Sequence, residues 1–140
     1  MAGYSGTPLV KKLGIKPGAT VAVLDAPADF AATLGALPEG ARCEATLGEE
    51  RAVIVWFTRD AAALAARLPA LKAALDWQGG LWIAWPKKTS GQAKDLSEPG
   101  VREAGLAAGW VDFKICAIDA TWSGLCFARP QHTKRERSGR

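Results

Sequence analysis

The apolar positions of this chain fall into short unbroken runs separated by helical stripes, an alternation that predicts a layered α/β protein. Thr20-Val21-Ala22-Val23-Leu24 and Ala52-Val53-Ile54-Val55-Trp56-Phe57 are continuous and of strand length, as expected for strands buried on both faces. A third run, Leu81-Trp82-Ile83-Ala84-Trp85, starts after Gly79-Gly80 and stops at Pro86-Lys87-Lys88, which predicts a buried strand delivering a charged loop. A weaker strand signal covers Ala41 to Leu47. Val111 to Ile118 and Gly124 to Ala128 predict two more strands, joined by a connection of hairpin length from Asp119 to Ser123. If Ile118 faces Gly124, Cys116 lies opposite Cys126, as neighbouring thiols or as a redox pair.

Helices fill the gaps. Thr7 and Pro8 suit a cap and a first helical position, followed by a short helix from Leu9 to Leu13 that Gly14 ends. Phe30 to Leu37 reads as a helix between Asp29 and Pro38. Leu64, Leu68, Leu71 and Leu75 form one stripe behind a cap at Thr58 or Asp60, and Pro69 inside it predicts a kink or two short helices. Ser97-Glu98-Pro99 restarts a helix that stops at Gly109. Strands alternating with helices and closed by a hairpin imply a mostly parallel sheet with helices on both faces and an antiparallel end. The Trp85-Pro86 bond is open to either isomer.

With 140 residues the chain fits one domain, and 49% hydrophobic with 23% charged residues is ordinary for a globular protein. The net charge of +4 changes the picture little, because Lys134, Arg135, Arg137 and Arg140 against Glu136 carry +3 of it. Residues 1–130 are therefore expected to form a single nearly neutral α/β domain and 131–140 a disordered basic tail, with nucleic acid not the main partner. Three cysteines without a Cys-x-x-Cys pair, and one histidine, His132, in the tail, remove the usual zinc spacings. No apolar run approaches the length that spans a bilayer, so the protein is expected to be cytoplasmic with reduced thiols.

Ligands of open α/β sheets gather where parallel strands end. Asp25, Thr58 and Arg59, and Trp85, Lys87 and Lys88 end three such strands, and Trp122 lies at the hairpin end. A rim of mixed charge suits a zwitterionic or nucleotide-like ligand. Lys87 and Lys88 suit a phosphate or carboxylate, and Trp85 a stacked ring. No catalytic or metal-binding constellation stands out, and general-base chemistry would fall to Asp25 or Asp119.

The second half resembles class I S-adenosylmethionine-dependent methyltransferases. Trp77-Gln78-Gly79-Gly80-Leu81-Trp82-Ile83 matches the glycine turn before the family's fifth strand. Glu103-Ala104-Gly105-Leu106-Ala107-Ala108-Gly109-Trp110 matches its following helix, and the two cysteine-bearing strands match its closing hairpin. The resemblance implies a Rossmann-like three-layer sandwich. In that family a glycine-rich turn after the first strand receives the cofactor, whereas Leu24-Asp25-Ala26-Pro27-Ala28-Asp29-Phe30 keeps the acid and lacks the glycines. The ribose-binding acid would be Glu49 or Glu50, and the third strand has no counterpart. At full length the chain is also similar to a small bacterial family of unknown function that carries Tyr-Ser-Gly-Thr-Pro, Leu-Gly-Ile-Lys-Pro-Gly, Trp-Pro-Lys-Lys and Thr-Trp-Ser-Gly-Leu, here residues 4–8, 13–18, 85–88 and 121–125. The expectation is a non-catalytic Rossmann-like module that binds a small anionic or nucleotide-like ligand, or a protein partner, at the rim. The alternatives are a methyltransferase with an atypical cofactor loop and a protein-interaction module. No cofactor and no oligomeric state can be assigned from the residues.

Overall fold

A computed structural model describes residues 8–130, so the expected tail and the Tyr4–Thr7 part of the first motif, with the Thr7 cap, lie outside the described residues. The elements are α1 (Leu9–Lys12), β1 (Thr20–Leu24), α2 (Phe30–Leu34), β2 (Arg42–Glu44), β3 (Arg51–Phe57), α3 (Ala61–Ala74), β4 (Leu75–Pro86), α4 (Glu98–Ala107), β5 (Val111–Ala117) and β6 (Trp122–Ala128), with a 3-10 turn at Lys88–Ser90. Six strands form one sheet in the order β2-β1-β3-β4-β6-β5. The first four are parallel neighbours, β6 runs antiparallel to β4, and β5 antiparallel to β6. All described peptide bonds are trans, Trp85-Pro86 included.

Unbroken apolar runs give the central strands a core on each face. Ile54, Trp56, Leu81, Ile83, Trp85, Leu125 and Phe127 pack under α3 and α4 with Leu64, Leu68, Leu71 and Val101. On the other face Val53, Val55, Phe57, Trp82 and Trp122 pack with Leu13 and Phe30 beside the much shorter α1 and α2. One face therefore has long helical cover and the other short cover.

α3 is one helix straight through Pro69. The missing N–H leaves the carbonyl of Ala65 unpaired by it, and both residues lie on the exposed side, where that carbonyl is open to solvent. At its start Asp60 Oδ1 accepts from Ala62 N at 2.8 Å and Ala63 N at 3.2 Å, so Asp60 and not Thr58 caps the helix. The Ala63 and Ala62 N–H groups, then Lys94, hold the Asp60 carboxyl below its ordinary 3.8. The cap therefore contributes fully above that value, and its contribution fades as pH falls through the lower folded one. Urea midpoints between about pH 6 and pH 2 should fall less steeply in Asp60→Ala than in the parent. Parallel acid limbs would show the cap to be inert.

At the other end of α3, Arg129 donates to the carbonyls of Lys72 (2.8 Å), Asp76 (2.9 Å), Trp77 (3.2 Å) and Leu75 (3.3 Å), a side-chain cap from the far end of the domain. Leu75, expected as the last residue of the helical stripe, already pairs with Arg51 as the first of β4. The ladder then slips and resumes at Val53 and Gly80. Gly79 lies against this irregularity, where an added Cβ would come 2.7 Å from the Ala52 carbonyl.

The hairpin register differs from the expected one. Cys116 faces Gly124, and Cys126 faces Lys114. The cause is a tighter turn: Asp119 Oδ1 accepts from Thr121 N and Trp122 N, both at 2.8 Å, and Ile118 N donates to Trp122 O at 2.9 Å. The two thiols are free and not cross-strand partners. Burial pushes the Cys126 thiol up to about 12. In native protein at about pH 8, a disulfide reagent followed by mass spectrometry should label exposed Cys43 and leave Cys126 unmodified. Equal labelling rates would place Cys126 outside the core.

Candidate functional site

β1, β3 and β4 end at a common rim, and the structure sorts the expected site residues there into separate groups. Asp25 follows β1 in the left-handed region, φ 56°, a conformation that an aspartate tolerates better than most residues. Its Oδ2 accepts from Trp56 Nε1 at 2.9 Å and lies 3.5 Å from Arg67 Nη1, while the Arg67 guanidinium sits 5.2 Å from the Trp56 ring centre. Asp25 is thereby tied to the α3 face of the sheet.

Arg59 belongs to a second group. It donates to Gln92 Oε1 at 2.6 Å and stacks 5.4 Å over Trp122. Trp122 meets Phe57 edge-on at 5.0 Å, and Phe57 meets Phe30 at 4.9 Å, so an aromatic row runs along the rim on the α2 face. Lys87 Nζ donates to Asp119 O, and Lys87 N to Thr121 O, each at 2.8 Å, which pins the end of β4 to the hairpin. Thr58 is buried, its N–H continuing the ladder to Ala84 O. Trp85 is 4% exposed and part of the core beneath α3 and α4, with no stacking face for a ligand. Lys88 is exposed in the 3-10 turn.

The segment after β4 lies across this rim as a strap. Gln92 holds Arg59, Lys94 Nζ reaches Asp60 at 3.4 Å, Asp95 Oδ1 accepts from Ala61 N at 2.9 Å, and Leu96 is buried. The α3 N-terminus is thus covered by this chain's own carboxylates, Asp60 and Asp95.

A cavity opens one strand further out. About 610 Å³ lies between α2, β1 and β2, its walls including Pro27, Phe30, Leu34 and Cys43, with Asp25 and Glu44 the charged residues. Glu44, which ends β2, is the residue that sequence reasoning missed; Glu49 and Glu50 lie farther on, in the turn before β3. Its Oε1 accepts from Arg51 at 2.6 Å and its Oε2 from Arg42 at 3.1 Å. Arg51, 8% exposed, also donates to Leu47 O at 2.7 Å. The signal was the arginine that opens an otherwise apolar strand, since a buried guanidinium needs a carboxylate within reach. Among the described residues no group of histidine, cysteine and acids could hold a metal ion. No described helix is long and apolar enough to cross a membrane.

Strand order, crossovers and closing hairpin define a Rossmann-like α/β fold of the methyltransferase type, without a strand beyond β2 among the described residues. No family model and no curated protein matches the chain. Among solved structures it is similar to a possible exported protein from Bordetella parapertussis (TM-score 0.62, 12% identity, 87% of this chain and 65% of that one). It is similar as well to a SAM-dependent methyltransferase from Aquifex aeolicus (0.58, 14%, 85% and 86%). A third is a ribosomal protein L11 methylase from Lactobacillus delbrueckii subsp. bulgaricus (0.55, 16%, 86% and 74%). At such identities the likeness is one of fold.

Proposed function

We propose that this chain is a non-catalytic Rossmann-like module that takes an uncharged, nucleoside-like small molecule in the cavity between α2 and β2. The observation that carries this reading is the cavity itself, apolar over most of its wall, with two acids and no cation among its lining residues. Such a wall, with both acids already paired to arginines, suits an uncharged ring with hydroxyl groups. Against catalysis stand the bonds of the two acids. Asp25 is held by Trp56 and Arg67, and Glu44 by Arg51 and Arg42. Pro27 also stands where the resembling family has glycine, and it removes a backbone donor.

A second reading, a methyltransferase with an atypical cofactor loop, is favoured by the solved structures of similar fold and by an acid at the end of β2. Calorimetric titration separates the two. Adenosine should bind saturably, and Ala31→Trp, which fills the cavity from α2, should abolish the heat. S-adenosylmethionine should show no turnover in a methyl-transfer assay with mixed protein and RNA acceptors. Tight S-adenosylmethionine binding with transfer would establish the second reading, and flat titrations with adenosine and S-adenosylmethionine would sink both.

A further inference from the structure

The opposite end of the sheet holds a second cavity, bordered by lysines. About 410 Å³ lies among α1, the starts of β1 and β3, the Gly79-Gly80 bend of β4 and the strand β5. Its volume falls in the range of small-molecule sites. Leu13, Val53, Trp82 and Cys126 are among its lining residues, and all four are buried. Trp82, 1% exposed, lies beneath this floor, its indole N–H bonded to Leu13 O at 3.0 Å.

Three ammonium groups surround this floor: Lys12 and Lys16 from the α1 side and Lys114 from β5, against Asp76 alone among the lining acids. Lys12 comes from α1 and Lys114 from β5, and both act electrostatically on the Cys116 thiol. The buried apolar residues beside them strengthen their field. β5 adds a ring. Its ladder with β6 slips between Asp112 and Lys114, which leaves Phe113 as the bulged residue, 68% exposed and lining the cavity. Bulges re-aim side chains, and this one turns a large apolar ring toward a basic pocket at a cost in exposed surface.

We propose that this cavity is a second binding site, for a small aromatic anion whose ring lies against Phe113 beside the Gly79-Gly80 backbone and whose acid group meets Lys16 and Lys114. It stands at the N-terminal ends of the parallel strands, away from the rim where ligands of such sheets usually bind. The claim is independent of the nucleoside reading, because the two cavities share no lining residue.

The probe is 1-anilinonaphthalene-8-sulfonate, titrated into the full chain by fluorescence, with its neutral relative N-phenyl-1-naphthylamine as comparison. Saturable one-to-one binding is expected, at least tenfold tighter than that of the neutral probe. The double variant Lys16→Gln/Lys114→Gln should weaken the sulfonate about tenfold and leave the neutral probe unchanged, and Phe113→Ala should weaken both. Amide shifts in a nitrogen-edited spectrum should centre on Gly79, Gly80 and Ala128, and adenosine should not displace the probe. Native amide dispersion in each variant separates lost binding from lost folding. Equal affinity for the two probes, an unchanged affinity in the double lysine variant, or shifts centred on α2 and β2 would overturn the proposal.

Discussion

Alanine at position 82 should remove about 4 kcal/mol from the stability of the fold, the largest single effect expected anywhere in the chain. Trp82 is 1% exposed, and on β4 it sits between Val55 of β3 and Cys126 of β6. Gly124 lies directly under its ring, since an added Cβ there would come 3.1 Å from Trp82 Cε3. The truncation empties that space, and the short α1 and α2 have few side chains with which to refill it. It also strands the Leu13 carbonyl that Trp82 Nε1 now satisfies. Urea unfolding followed by circular dichroism measures this as a lower midpoint with unchanged slope. Trp82→Phe should recover most of the loss and leave a deficit of about 1 kcal/mol for the missing indole donor. A loss below about 1.5 kcal/mol in Trp82→Ala would mean that the face collapses onto the gap, contrary to its packing.

Valine in place of Gly105 should cost about 3 kcal/mol by the opposite route, overpacking. Gly105 is buried in α4, and a Cβ there would run into the Phe127 ring, which is itself fully buried on β6. Glycine is a poor helix residue, so removing it from a helix interior ordinarily gains about 1 kcal/mol. Here the contact outweighs the propensity. The helix and the strand would have to part, and with them Val101 and Leu125 of the same core. Pairing Gly105→Val with Phe127→Leu should restore much of the loss, because the shorter side chain vacates the position that the valine needs. Additive losses in that double-mutant cycle would show that the two residues do not meet.

Most strands and helices were legible because their residues obey one local rule at a time. β1 spans the expected Thr20 to Leu24, and β3 adds only Arg51 to the expected run. Gly14 takes the left-handed conformation expected of it, φ 80°. What stayed hidden depends on partners distant in sequence. Pro69 reads as a helix break until it and Ala65 are seen to face solvent. The hairpin register follows from a side chain, Asp119, gripping two backbone donors that no periodicity displays. Of the candidate site residues, Arg59, Lys87 and Trp122 lie around one strap, while Asp25 answers to Trp56 and Arg67 on the other face. Ends of neighbouring strands share a rim, but which way each side chain turns from it is set by what the opposite layer offers. Glu44 escaped notice for the same reason: its weight comes from Arg51, seven positions later.

The place of β4 in the sheet bears on how the chain must be made. Its one edge pairs with β3, which precedes it, but its other edge waits for β6, and the four carbonyls at the α3–β4 junction wait for Arg129. On a ribosome that interval lasts a few seconds, at ~5–20 residues per second. Throughout it Leu81, Ile83 and the two tryptophans form the open margin of an unfinished sheet. A nascent chain stalled before Trp122 would be the most aggregation-prone form of this protein, because β4 then has one edge with no partner strand.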